Sequence, residues 1–254
     1  MNTKEKQGIW SILLAMAIVI LVSCSKNNIE GIGETATSFA TIYAEMGKPY
    51  YLIPDSGGAT MYITKTSVSK HELTHKRRVV ATYTLLKNVT PQNLMDHSFW
   101  NVRLDHIMEL TCKAPILKSQ TEDPNQLGTG ILDIKYILFT GEYLSVVYEH
   151  VGISSDINLW FDDTNHPASD TWVTSLCLNA PATVTEDKTN GYISFDLSKL
   201  FQETRDSRYE SGVNDWNPSK LILSYYESAN KQKELRFVIS YMEYGPSLIP
   251  EHLL

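Results

Sequence analysis

Basic charge is in short supply along this chain. Its 254 residues carry 22 Lys and Arg against 29 Asp and Glu, a formal net charge of −7. Nucleic-acid binders draw much of their affinity from neutralising phosphates with Lys and Arg, so this balance argues against that class of partner. Cysteine is scarce as well, three in all, too few for a disulfide-framed scaffold. With 13 Gly, 10 Pro and 43% hydrophobic residues, the chain is not collagen-like, low in complexity or wholly disordered. It contains no Gly-rich phosphate loop, no G-x-S-x-G nucleophile elbow and no pair of carboxylates that stands out from the background. The length allows one large domain or two of modest size.

What is present begins with an address. Lys4 and Lys6 precede Ile9 to Val22, a run of 14 residues without a charge. A helix needs about 20 residues to span a bilayer, so the run is short for a permanent anchor and suits the apolar core of a secretory signal. The following Leu21-Val22-Ser23-Cys24 resembles the lipobox of bacterial lipoprotein signals. The resemblance implies cleavage before Cys24, a diacylglyceryl thioether on its sulfur and acylation of the new N-terminus, a combination that anchors stably to a membrane. Cleavage removes Lys4, Glu5 and Lys6 and takes the formal charge from −7 to −8. Residues 24–40 then read as a polar tether. Ser25-Lys26-Asn27-Asn28 lacks an acidic cluster of the kind that resembles a surface-export signal. The expected location is the cell envelope, at the outer membrane, with the periplasmic or external face left open.

The remainder alternates with the period of strands. Val79, Ala81, Tyr83 and Leu85 fall on one face of a segment, and Val102 and Leu104 on one face of another. The same spacing returns in Leu144, Val146 and Tyr148, in Ile157, Leu159 and Phe161, and in Trp172, Leu176 and Leu178. It continues through Ile193, Phe195 and Leu197, then Leu221, Leu223 and Tyr225, and closes with Leu235, Phe237, Ile239 and Tyr241. Turn signals lie between the runs, among them Thr140-Gly141, Asn165-His166-Pro167 and Thr189-Asn190-Gly191. Lys199 to Tyr209 is the one sizeable helix candidate, with a further helical turn at Leu94 to His97. Short strands at regular spacing predict an all-β protein built from barrels or sandwiches. The polar stretch Lys118 to Gly130 predicts a boundary. It divides the chain into a small OB-like Greek-key barrel over 41–118 and an immunoglobulin-like β-sandwich over 126–246.

Several segments together resemble the NigD-like family of bacterial envelope lipoproteins. In the first half these are Tyr50-Tyr51-Leu52-Ile53-Pro54-Asp55-Ser56-Gly57, Arg78 to Tyr83, and Val102-Arg103-Leu104 leading to Leu110-Thr111-Cys112-Lys113. In the second they are Leu127-Gly128, Gly141-Glu142-Tyr143-Leu144 and Gly191 to Leu197. The resemblance implies an OB-like N-terminal domain followed by a β-sandwich, and it implies neither an activity nor catalytic residues. The family name comes from a bacteriocin gene cluster, which makes a bacteriocin-associated envelope protein one alternative role.

Among chemistry-bearing motifs, His71-Glu72-Leu73-Thr74-His75 matches H-E-x-x-H. On a helix the two histidines would share a zinc ion and the Glu would activate a bound water, giving a zinc-dependent hydrolase as the second alternative. The motif needs a continuous helix over 67–80, yet its flanks carry no apolar stripe and a strand pattern begins about three residues later, so a solvated loop is the expectation and His71 and His75 are only nominal metal candidates. An oxidising envelope would permit a disulfide between Cys112 and Cys177, and two buried, unpaired thiols are the favoured expectation. Asp162-Asp163-Thr164-Asn165 with Asp170 offers oxygens for calcium but lacks the spacing of a calcium loop, which favours a hairpin turn. Most of the five Trp and 14 Tyr fall on strand positions, where packing explains them. Trp216, in Asn214-Asp215-Trp216-Asn217-Pro218, falls in a loop and is the weak candidate for a ligand contact. The reading is of a lipid-anchored, non-enzymatic binding or accessory module, without a cofactor, whose partner is a protein, a peptide or a glycan.

Overall fold

The computed structural model describes residues 35–55, 60–86, 99–151, 156–166, 168–179, 188–210, 218–229, 231–242 and 245–250. The chain is all-β and divides into two units, 1–109 and 110–254. Among the described residues, no helix is long and apolar enough to cross a membrane.

The first unit is a closed five-stranded barrel. Its strands are β1 (Thr35–Tyr43), β2 (Tyr51–Pro54), β3 (Thr60–Thr66), β4 (Arg77–Leu85) and β5 (Phe99–Glu109). They close in the order β1-β2-β3-β5-β4, with β3 and β5 parallel and the other neighbours antiparallel. That is the OB-like arrangement the sequence predicts. Alternation sends Ala40 and Ile42, Leu52, Val79, Ala81 and Tyr83, and Val102 and Leu104 into one buried cluster. Each fully buried aliphatic side chain of this kind contributes about 1.5–3 kcal/mol. Register shifts at Ile63/Lys65 and at Thr82/Tyr83 mark bulges, which bend strands so that a short sheet can close on itself. The barrel starts at Thr35, inside the stretch read as tether.

The second unit is a sandwich. Strands β6 (Cys112–Lys113), β7 (Ile116–Leu117), β8 (Leu132–Thr140), β9 (Tyr143–Val151) and β10 (Ile157–Phe161) come first. They are followed by β11 (Thr171–Leu178), β12 (Lys188–Asp196), helix α1 (Ser198–Glu210), β13 (Lys220–Ser228), β14 (Lys231–Met242) and β15 (Gly245–Pro250). One sheet has the order β15-β14-β13-β11-β10-β7 and the other β6-β12-β9-β8. Their inner faces share a single core that includes Leu144, Val146, Leu159, Phe161, Trp172, Phe195 and Leu223. At Ala114-Pro115 the chain leaves one sheet for the other: β6 adds in parallel to β12, and β7 adds in parallel to β10.

That crossing moves the expected boundary. Residues before 118 already belong to the sandwich, and the stretch Lys118 to Gly130 lies along it rather than linking two domains. Ser119 donates its N–H (3.0 Å) and its hydroxyl (2.6 Å) to Asp163, and Trp160 donates its indole N–H to the Thr121 carbonyl at 2.7 Å. Tyr226 donates to Asn125 at 2.9 Å, and the Gly130 N–H to the Leu178 carbonyl at 2.9 Å. The stretch is polar because its groups are used in these bonds. Gly128 has φ +124°, and a Cβ there would lie 2.2 Å from the Leu178 carbonyl oxygen.

Thr189-Asn190-Gly191 is strand, not turn. It runs within β12 opposite β9, and the Tyr148 ring lies over Gly191 where a Cβ would come within 2.2 Å of it. The helix expected near Lys199 to Tyr209 is α1. Asp196 accepts the Ser198 N–H at 2.9 Å at its start, and Leu200, Phe201 and Thr204 form its buried face. Leu94 to His97 lies outside the described residues.

Candidate functional site

The H-E-x-x-H segment does not form a helix over 67–80. A 3₁₀ turn covers Lys70–Glu72 alone, and β4 begins at Arg77. Glu72 accepts the Ser69 N–H at 3.2 Å, and the Ser69 hydroxyl lies 2.7 Å from His71 Nδ1. Leu73, between the histidines, is buried in the barrel core and pins the connection to it. His75 turns to the β1–β2 connection, where its Nε2 stands 3.7 Å from Glu45 and its ring meets Tyr43 edge-on, with centroids 5.6 Å apart. The two imidazoles therefore point to different neighbours. The helical frame that a zinc-dependent hydrolase would need from His71, Glu72 and His75 is missing.

The other sequence candidates are placed as follows. Cys112 is exposed on β6, not buried as expected, whereas Cys177 is a buried, free thiol on β11. Burial, with a smaller contribution from the charge of Asp123, pushes the Cys177 thiol up to about 12. The aspartates are engaged by the protein itself. Asp162 takes Lys118 at 3.1 Å and the Thr164 N–H at 3.0 Å, Asp163 holds Ser119, and Asp170 accepts the Ser219 hydroxyl. Cys24 and Trp216 lie outside the described residues.

Two constellations escaped sequence reasoning. The first is a buried ion pair. Arg78 sits on β4 next to Thr41 of β1, and Asp55 follows β2. Arg78 donates to Asp55 through both terminal nitrogens, one at 2.6 Å, and to the Thr41 hydroxyl at 2.8 Å. Both charged side chains are 1% exposed. Nothing in a linear scan couples residues 55 and 78, because the partners meet only when the barrel closes.

The second is an aromatic row on the outer face of the barrel. Ile42, Leu52 and Met61 pack against the core, so the adjacent Tyr43, Tyr51 and Tyr62 project outward. Register aligns them: Tyr43 pairs with Tyr51, and Tyr51 with Tyr62. The Tyr43 and Tyr51 rings stack at 4.9 Å and 9° between planes, and Tyr62 meets Tyr51 edge-on at 6.2 Å. His75 extends the row beyond Tyr43. All three tyrosines are half-buried, each with an apolar body and a polar tip. The signal was available in principle, since each tyrosine is sequence-adjacent to an inward residue, but it appears only once the strands are in register.

The sandwich contributes a further buried polar site. His166 Nε2 lies 3.1 Å from Glu203, and its ring stands edge-on to Phe161 at 5.3 Å. Burial lowers the His166 pKa, with Glu203 opposing. His150 is likewise lowered by burial.

The fold and these sites define a class: a two-unit all-β protein, with an OB-like barrel bearing an aromatic outer face and a ten-stranded sandwich. No protein-family model and no curated protein matches the sequence. Solved structures do. A protein of unknown function, DUF1344, from Bacteroides vulgatus is similar over 85% of this chain and 97% of its own length, with 16% identity and a TM-score of 0.57. A Parabacteroides distasonis protein labelled toxin-related is similar over 80% and 92%, also at 16% identity and 0.57. A NigD-like immunity protein from Bacteroides caccae aligns over 87% and 94% at 13% identity and a TM-score of 0.48, too distant to bear on function. At this identity the likeness to the first two is one of fold.

Proposed function

We propose that this chain is an exported, lipid-anchored protein of the cell envelope that works without catalysis, as a binding module whose contact surface is the outer face of the barrel. The sequence supports the address: a short basic segment, 14 uncharged residues and a lipobox-like Leu21-Val22-Ser23-Cys24. The observation that carries the binding role is the tyrosine row across β1, β2 and β3. In OB-folds the face around the second and third strands serves oligonucleotides and oligosaccharides, and ring stacking suits either. The acidic balance of the chain argues against the former. Fold-level analogy alone would be weak support. Here it coincides with three aligned rings on that face.

Anchoring is tested by growing cells with a labelled fatty acid. The label should enter the wild-type chain and be lost from Cys24→Ala, with the variant released from the membrane fraction. Label retained in the variant would refute the anchor. Protease treatment of intact cells then distinguishes the external from the periplasmic face.

A further inference from the structure

The aromatic row ends in a cluster of cations, and the two features lie at one pole of the barrel. β1 finishes at Tyr43 and β3 finishes at Thr66, and the register places both at the end where β4 begins. The connection between β3 and β4 therefore sits beside the connection between β1 and β2, which the contacts of His75 with Tyr43 and Glu45 confirm. Over 65–78 the sequence carries Lys65, Lys70, Lys76, Arg77 and Arg78 against a single acid, Glu72, in a chain whose net charge is −7. Two of these cations serve the barrel: Arg77 binds Glu109 and Arg78 binds Asp55. Lys65, Lys70 and Lys76 are exposed, and among the described residues none of them forms an ion pair. The acid nearest the row, Glu45, is already engaged by Lys48, and the charges of His75 and Lys76 reach it as well.

Lys76 adds an independent observation. Its φ is +58°, the single positive value outside glycine among the described residues. The left-handed region is strained for a side chain with a Cβ, and Gly or Asn relieves it. Strain of this kind gathers where a side chain serves a function. Lys76 directly follows His75, whose ring meets Tyr43 at the end of the row, and its charge reaches Glu45 beside it.

We infer that this pole of the barrel binds a phosphate-bearing glycan, its sugar rings lying along Tyr43, Tyr51 and Tyr62 and its phosphate meeting Lys70 and Lys76. A neutral sugar would leave the cations unused, and an anion without a ring system would leave the tyrosines unused. Lysine suits phosphate as a compact charge with three donors. This site rests on the binding role proposed above and adds the ligand class.

The test uses the mature chain with Cys24 replaced by Ser, and four probes: a phosphorylated mannan, the same mannan without phosphate, polyphosphate and a single-stranded oligonucleotide, each titrated calorimetrically. The phosphorylated mannan should bind at least tenfold more tightly than any other, and raised salt should weaken it while sparing the neutral polymer. Lys76→Gly should lower its affinity by about fivefold, as loss of one exposed charge contact does, without lowering the melting temperature, because glycine relieves the backbone. Tyr51→Phe, which keeps the ring, should bind close to wild type, and Tyr51→Ala should lose about tenfold. Equal binding of phosphorylated mannan and polyphosphate, preference for the oligonucleotide, or indifference to Lys76→Gly would overturn the inference. Failure here with Cys24 lipidation intact removes the glycan and leaves the anchor. Loss of lipidation with this binding pattern intact does the reverse.

Discussion

Removing the Asp55 carboxylate is the sharpest perturbation of the barrel. Asp55→Ala leaves the Arg78 guanidinium at a position where it is 1% exposed, with the Thr41 hydroxyl among the acceptors it keeps. Removing one partner of a buried pair costs about 3–5 kcal/mol, because the surviving charge has lost both water and its counter-ion. In a unit of the barrel's size each kcal/mol moves the midpoint by about 4–8 °C, so the barrel transition should fall by about 20 °C. The loss in Arg78→Ala should be similar. The double replacement Asp55→Leu with Arg78→Met should recover most of it, since apolar groups of similar volume often match or exceed a buried pair. Urea unfolding of the mature chain, followed separately by probes in the barrel and the sandwich, measures the terms and their coupling. A cost below about 1 kcal/mol for either single variant, within the range of exposed pairs, would refute the claim that the pair is desolvated.

Other outcomes follow from the same geometry. Gly191→Ala should destabilise the sandwich by about 1–3 kcal/mol, because the new methyl meets the Tyr148 ring at 2.2 Å; thermal melts should show partial recovery on adding Tyr148→Leu. In mature chain lacking Cys24, iodoacetamide at pH 8 should modify exposed Cys112 quickly and Cys177 only after unfolding, because the Cys177 thiol, pushed up to about 12, stays protonated; mass spectrometry counts the adducts. Acid should weaken the sandwich below about pH 6.5, the ordinary histidine value. His150 and His166 both have folded-state values lowered by burial, so the unfolded chain takes up protons first and stability falls as pH drops from the unfolded value towards the folded ones. Replacing both with Gln should flatten that slope, and an unchanged slope would assign it to other groups. Lys76→Gly should raise stability by about 0.5–1 kcal/mol in denaturant titrations, through relief of its positive φ.

The strands and their faces were largely readable in advance. Val79, Ala81 and Tyr83, Leu144, Val146 and Tyr148, and Leu221, Leu223 and Tyr225 all occupy the core that their alternation predicts. Alternation works here because each sheet has one buried face, so burial alone imprints the period. The boundary was misplaced for a related reason. β6 and β7 are two residues each, too short to show a period, and Lys118 to Gly130 is polar because its hydrogen bonds are made along the sandwich. Gly191 read as a turn because a glycine required by a neighbouring aromatic ring looks, in sequence, like one required by a bend. The candidate surface was hidden more deeply. Tyr43, Tyr51 and Tyr62 lie on three strands, and their alignment depends on hairpin register, which a pattern within a single strand does not encode. The histidine motif misled in the opposite direction, since it supplied spacing without the helix that gives the spacing meaning.

The crossing at Ala114-Pro115 imposes an order on assembly. β6 has nothing to pair with until Ser194 and Phe195 exist, and β7 waits for Trp160 and Phe161. The barrel's five strands all lie before Leu110 and need nothing made later. As the chain emerges from its N-terminus, the barrel can close while the segment just behind it still has two open edges. The β7 edge is filled once 44 further residues have followed, and the β6 edge only after 82. A chain cut short ahead of β12 would therefore carry a finished barrel trailing an unpaired strand, a form that proteases should recognise and clear.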